Sequence, residues 1–166
     1  MKNLRLIALA PTAAIALAIT AGLAARHAPP SIEGSYILDY RELPDGTKLR
    51  PPQVIGMITF TRDHRNFNVY WQDKGKTTSI GVVSKYSLTD KEYAEENIYG
   101  AMNDESSGKA PTYDTTATRG TSPVTVKGDK IEFNLPLRGE PAVVFDKSGM
   151  TATRAGAFVD HWKKLD

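Results

Sequence analysis

The sequence predicts an all-β fold, an up-and-down antiparallel β-barrel of about eight to ten strands. Three observations predict it. From Gly34 onward apolar and polar residues alternate with period two, as half-buried strands do. The alternating stretches are short and are divided by Gly, Asp, Asn and Pro clusters that make tight turns. No stretch beyond residue 28 keeps the apolar spacing of a helix, and neither a solenoid repeat nor a heptad is present. Sequential hairpins favour a barrel over a sandwich, because closure removes the edges that an open sheet exposes.

Residues 35–41 form the first strand and run into the turn Pro44-Asp45-Gly46. After the Pro51-Pro52 loop, residues 54–61 form a strand that is apolar on both faces, and burial on both sides is expected. Arg62-Asp63-His64-Arg65 reads as a polar turn. Residues 66–72 place Phe67, Val69 and Trp71 on one face and Asn66, Asn68 and Tyr70 on the other. The loop at 73–76 leads to a strand over 77–88, and Asp90-Lys91 turns it into a fifth strand over 92–102. Residues 103–112 read as a polar loop, 113–118 and 124–127 as weak strands, and Arg119-Gly120-Thr121 as a plain loop. Gly128-Asp129 makes a tight hairpin turn. In the strand over 130–137, Ile131, Phe133 and Leu135 alternate cleanly with Lys130, Glu132 and Asn134, which marks the first three as core. A hairpin of 142–145 and 150–155 and a last strand over 157–165 complete the domain.

Residues 1–25 read as a secretory signal peptide: Lys2 and Arg5 lead an apolar stretch over 6–18, and small residues follow at 22–25. A spanning helix needs roughly 20 apolar residues, and this stretch barely reaches that. Cleavage is therefore expected, with no stable membrane insertion afterwards and a periplasmic or secreted location. Residues 26–31, with Pro29-Pro30, read as a linker, and 32–166 as one domain. The chain contains no cysteine, so neither a disulfide framework nor a lipid-modified cysteine is expected. A domain of ~140 residues buries roughly two thirds of its unfolded surface, enough for a core without staples. Of the 21 basic residues, Lys2 and Arg5 belong to the leader, which leaves 19 against 19 acidic ones. That balance gives no basic excess to neutralise phosphates, and no nucleic-acid partner is expected.

Chemical motifs are sparse. His27, His64 and His161 stand apart, without a paired-ligand spacing, so neither a metal site nor a cofactor is expected. No Gly-x-Ser-x-Gly elbow or cysteine nucleophile is present. The fifth strand is the most informative, because Tyr93, Glu95, Asn97 and Tyr99 share one face by period two. Such a row either lines a lumen and holds a ligand by a few placed hydrogen bonds, or faces solvent. Asn66, Asn68 and Tyr70 form a similar row on the third strand, where Phe67, Val69 and Trp71 make the better inward face. If Glu95 points inward it needs a compensating cation, for which Arg154 is the candidate.

Several segments, in order, resemble bacterial lipocalin-like (calycin) domains. Ile32-Glu33-Gly34-Ser35-Tyr36 is similar to the Gly-x-Trp opening, with Tyr in the Trp place. Leu43-Pro44-Asp45-Gly46 followed by Gly56-Met57-Ile58-Thr59-Phe60-Thr61, the pair Tyr86-Ser87-Leu88-Thr89 and Glu92-Tyr93-Ala94-Glu95, and the ending Asp160-His161-Trp162-Lys163-Lys164 also resemble family segments. Lys164 stands where the family has Arg. The resemblance implies a central cavity and a late-strand cation packed over Tyr36, with Arg154 preferred to Lys164. It implies no particular ligand. The expectation is a lipocalin-like barrel that binds a small apolar or amphipathic molecule through Tyr93, Glu95, Tyr99, Tyr70 and Arg154, and more a binder than an enzyme. A barrel filled by its own side chains, serving a structural or interaction role, is the second reading. A cofactor-free isomerase or cyclase using Glu95 with Tyr93 as acid or base is the third.

Overall fold

The computed structural model describes residues 30–165; the expected signal peptide and all of the linker before Pro30 lie outside them. The fold is all-β. Thirteen strands run in order: β1 (Gly34–Glu42), β2 (Lys48–Leu49), β3 (Val54–Phe60), β4 (His64–Asp73), β5 (Lys76–Leu88), β6 (Glu92–Asp104), β7 (Thr112–Asp114), β8 (Arg119–Pro123), β9 (Thr125–Lys127), β10 (Lys130–Asn134), β11 (Ala142–Phe145), β12 (Gly149–Arg154) and β13 (Phe158–Lys164). A single 3-10 turn, Glu105–Ser107, follows β6.

All pairs are antiparallel, and the strands make one continuous sheet ordered β7-β6-β5-β4-β3-β1-β13-β12-β11-β10-β9, with β8 also on β6 and β2 on β1. The sheet is not closed by a backbone ladder, and it has more strands than the eight to ten expected. The additional strands are short pieces at the ends of the sheet and beside β1. Arg119-Gly120-Thr121, expected as a plain loop, belongs to β8 and pairs with β6 from Glu92↔Pro123 to Glu96↔Arg119. The two ends of the sheet are bridged by the run 119–127, which pairs with β6 through β8 and with β10 through β9, and they also meet through side chains. Tyr93 on β6 stacks on Phe133 of β10 at 4.3 Å, and Ser122 Oγ donates to the Asn134 carbonyl.

Alternation puts Ile131, Phe133 and Leu135 inside, as expected. An aromatic cluster fills one part of the interior. Phe60 and Phe145 meet edge-on at 5.4 Å, Tyr36 packs on Phe145 at 5.6 Å, and Phe133 lies 5.7 Å from Phe145. Aromatic rings favour edge-on and offset stacks because ring faces are electron-rich and ring edges electron-poor. Tyr36 donates its hydroxyl to the Ile32 carbonyl, so the buried phenol is satisfied.

Three expectations need correction. β3 is buried on one face only: Val54, Ile58 and Phe60 are inside, whereas Ile55 and Met57 are exposed. Its apolar outer residues therefore belong to a surface and not to a second core. Arg65 belongs to β4 and is one of the most deeply buried side chains, not a turn residue. The cation over Tyr36 is Lys164, with Nζ 5.8 Å from the ring centroid, and not Arg154. The reason is register, since Tyr36 pairs with Lys164 across β1 and β13. Gly34 makes room for it, because a Cβ there would come within 2.6 Å of Lys164 Cε.

Phe133→Ala is expected to cost about 3–5 kcal/mol in urea denaturation. Burial raises the pKa of Tyr36 to about 12, and burial followed by the charge of Glu33 raises that of Tyr86 to about 12. An unfolded tyrosine ionises near 10. Stability from these phenols is therefore complete below pH ~10 and is lost as pH rises toward 12. Ultraviolet titration should show part of the phenolate signal appearing only near pH 12, together with unfolding.

Candidate functional site: a chamber bounded by buried ion pairs

The site begins with the strand pattern of β6. Tyr93, Glu95 and Asn97 alternate inward and are buried. At the next step the register slips: Val83 pairs with Tyr99 but Ser84 with Asn97, so Ile98 is the extra residue of a bulge. A bulge reverses the alternation beyond it. Tyr99, expected on the inward row, is therefore exposed, and Gly100 is buried in its place.

Glu95 meets Arg65 from β4. Arg65 Nη2 lies 2.6 Å and Nε 2.9 Å from Glu95 Oε1. The other face of the guanidinium holds Glu140 from the β10–β11 connection, with Nη1 donating to Oε2 at 2.8 Å and Nη2 to Oε1 at 3.0 Å. Ser84 Oγ and the Tyr93 hydroxyl (3.2 Å) donate to the two oxygens of Glu95. Burial by itself would lower the Arg65 pKa, but the charges of Glu140 and Glu95 outweigh it and raise the pKa, so the guanidinium is permanently charged. Burial, and next the Glu95 charge, hold the Tyr93 phenol well above its ordinary range. Tyr93 is thus a fixed neutral donor. The cation that compensates Glu95 is Arg65 and not the expected Arg154.

On the far side of Arg65 from Tyr93 the interior is open. A cavity of about 460 Å³ is lined by Phe67, Val69, Trp71, Val143, Met150 and Trp162 among others, with Arg65 and Glu140 on its wall. A second buried pair, Arg41 with Asp160, lines it elsewhere. Arg41 Nε donates to Oδ1 at 2.6 Å and Nη2 to Oδ2 at 2.8 Å. Its guanidinium is held between the rings of Phe158 at 3.9 Å and Trp71 at 4.8 Å, a doubly stacked cation. Arg41 turns inward because β1 also carries a register shift, between Leu38 and Tyr40. Arg138, also on the lining, donates to Asp114 Oδ2 at 2.9 Å.

Of the expected ligand residues, Tyr93 and Glu95 are inside but lie behind Arg65 and do not line the cavity. Arg154 is exposed at the cavity's rim. Tyr70 and Tyr99 lie on the outer face of the sheet, over a separate hollow. Arg41, Arg65, Glu140 and Asp160 went unrecognised from sequence. Charged residues beside a turn or a strand end read as solvated, and only the register shows them inside. Gly100 was a usable signal, since a glycine inside a strand often marks a bulge. His64 Nδ1 donates to Asp63 Oδ1 at 2.6 Å and His64 is part-exposed, while His161 stacks on Tyr40 at 4.2 Å. Among the described residues no cluster of three or more His, Cys, Asp or Glu is placed to hold a metal ion. No family model, curated protein or solved structure matches this chain.

Glu95→Leu should cost about 3–5 kcal/mol by urea denaturation, because it leaves a buried guanidinium short of one anion. Glu95→Gln keeps acceptors for Ser84 and should cost less. A loss below about 0.5 kcal/mol, the usual range of a surface change, would show that the pair does not hold this part of the fold.

Proposed function

We propose that the chain is an exported, lipocalin-like binding protein that holds a small, largely apolar molecule in a barrel-like lumen. The observation that carries this reading is the cavity of about 460 Å³ walled mainly by aromatic and aliphatic side chains. Its size lies within the 300–1,000 Å³ of ordinary ligand pockets. At roughly 30 Å³ for each water in the liquid, it equals about fifteen water volumes, which suits a ligand of similar heavy-atom count.

The charges around the cavity narrow the ligand further. Arg41 is paired with Asp160, Arg65 with Glu140 and Glu95, and Arg138 with Asp114. Arg154 alone among the arginines on the lining forms no ion pair with a described residue. An apolar body inside with an acidic group reaching Arg154 at the rim satisfies both halves of the site, and a guanidinium binds carboxylates through charge-assisted hydrogen bonds. The cavity-facing carboxylates Glu140 and Asp160 are each clamped by an arginine, which supports binding over proton transfer.

Displacement of the apolar fluorophore N-phenyl-1-naphthylamine tests this with a matched pair, decanol and decanoate. Both should displace the probe, with decanoate about tenfold the tighter, a difference of ~1.4 kcal/mol. Arg154→Gln should remove that preference and leave decanol unchanged. Failure of the folded protein to take up the probe would sink the lumen reading. Equal affinities for the two chains would remove Arg154 from the site.

A further inference from the structure

On the premise that the cavity binds an apolar ligand, we propose that the Arg138 side chain is a gate over a side entrance to it, latched shut by Asp114. The two ends of the sheet are joined where the run 119–127 pairs with β6 and β10. Beyond that run they part. Among the described residues no backbone hydrogen bond joins 112–118, which carries β7, to the 135–141 connection between β10 and β11. Both sides of this gap line the cavity, with Thr112 and Asp114 on one and Arg138, Gly139 and Glu140 on the other.

Arg138 crosses the gap. Its Nη2 donates to Asp114 Oδ2 at 2.9 Å. The two side chains are 31% and 42% exposed although both residues line the cavity, so the pair meets solvent on one side and the interior on the other. The guanidinium also occupies the place of a side chain that Gly100 lacks, since a Cβ there would lie 2.8 Å from Arg138 Nη2. Gly100 and Gly139 offer no side chain to fill the opening, so the guanidinium is its cover.

The backbone under Arg138 points the same way. Glu140 N donates to the Leu137 carbonyl at 3.0 Å, and Arg138 and Gly139 between them have φ of 55° and 61°. A turn with positive φ at both central residues ordinarily takes Asn-Gly, Asp-Gly or Gly-Gly. Arginine pays a steric cost in the first place, and such a cost, kept against easier residues, marks a side chain that is needed where it stands. The turn is held on both flanks. A Cβ on Gly120 would come within 2.9 Å of Pro136 Cβ and 3.1 Å of Leu137 Cδ2, and Glu140 grips Arg65 at 2.8 Å. The moving part is therefore the Arg138 side chain alone, and an ion pair this exposed is weak enough to open.

Stopped-flow uptake of N-phenyl-1-naphthylamine by the purified protein tests this. The probe is uncharged, so charge steering does not enter. Removing a mere ligand contact does not hasten uptake, whereas removing a gate does, because association is slowed wherever it waits on a conformational change. Arg138→Asn puts a residue suited to positive φ in the turn. It should raise the uptake rate roughly two- to fivefold, the open fraction that an exposed pair holds back, with the melting temperature unchanged or higher. Gly100→Ala, which pushes the guanidinium off Asp114 without removing its charge, should also speed uptake. The chain has no cysteine, so Arg138→Cys and Tyr113→Cys together can be bridged by a bis-maleimide across the gap. The bridge should slow uptake at least tenfold. Uptake unchanged in Arg138→Asn and Gly100→Ala, or undiminished by the bridge, would overturn the gate and leave the binding role standing. A lower melting temperature for Arg138→Asn with unchanged uptake would make Arg138 a structural brace and overturn it as well. No uptake by the folded wild-type chain would overturn both the gate and the binding role.

Discussion

The structure depends on Arg65. In the backbone, the ends of the sheet are joined by the run 119–127, which pairs with β6 through β8 and with β10 through β9, and side chains hold the β6 side against the β10–β11 side beyond it. Arg65 does this from the middle of the sheet, gripping Glu95 on β6 with one edge and Glu140 after β10 with the other. The two partners lie 30 and 75 residues away in sequence. A guanidinium is suited to the task, because its planar fork serves two carboxylates at once and it keeps its charge on burial. The cost is desolvation of three ions, and replacing such a cluster by well-packed apolar groups is often neutral or stabilising. Its value lies in specificity. An apolar substitute would fill the space but would not dictate which strand ends meet.

Arg65 also sets where the interior is full and where it is open. Behind it, toward Tyr93, the space is filled by stacked rings, with Tyr93 on Phe133 at 4.3 Å and Tyr86 on Tyr93 at 5.7 Å. Before it lies the cavity. A cluster with one arginine and two carboxylates carries a surplus negative charge, which Ser84 and Tyr93 soften by donating to Glu95. On the cavity wall Arg41, Arg65 and Arg138 balance Asp114, Glu140 and Asp160, so Arg154 is a surplus positive charge, and an anion arriving there meets a cation that no described side chain has neutralised. The Arg41–Asp160 pair, sandwiched by Trp71 and Phe158, fixes a second part of the wall without offering a free charge.

Much of this fold was legible because a strand reports its own face. The alternation around Phe133 and the shared face of Tyr93 and Glu95 follow from period two, whereas the inward direction of that shared face is set by Arg65 from a distant strand. What the sequence hid has a common physical origin in two one-residue register shifts. On β1 the shift between Leu38 and Tyr40 brings Arg41 inward, and on β6 the shift at Ile98 sends Tyr99 outward. A pattern read with constant parity inverts beyond each shift, so every residue past it lands on the wrong face. Arg65 was hidden differently. It sits in an Arg-Asp-His-Arg run that reads as solvated, and its partners come from segments too distant for any local pattern to join. Closure was overestimated for a related reason, since sequential hairpins specify neighbours but do not specify whether the first and last meet.

The outer face of the sheet shows the same logic from the other side. A strand that is apolar on both faces suggests burial on both, and β3 meets that expectation only for its inner residues. Its outer residues Ile55 and Met57 are not an error of folding, because they continue into neighbours on five further strands without one charge. Scattered exposed apolar residues are ordinary on any protein, whereas a contiguous patch marks a contact site. The inner face, with its clamped charges and open cavity, and the outer face, with its uncharged hollow, share β1 and β3 to β6, and β11 to β13 complete the inner one alone. Register between those strands sets the geometry of both.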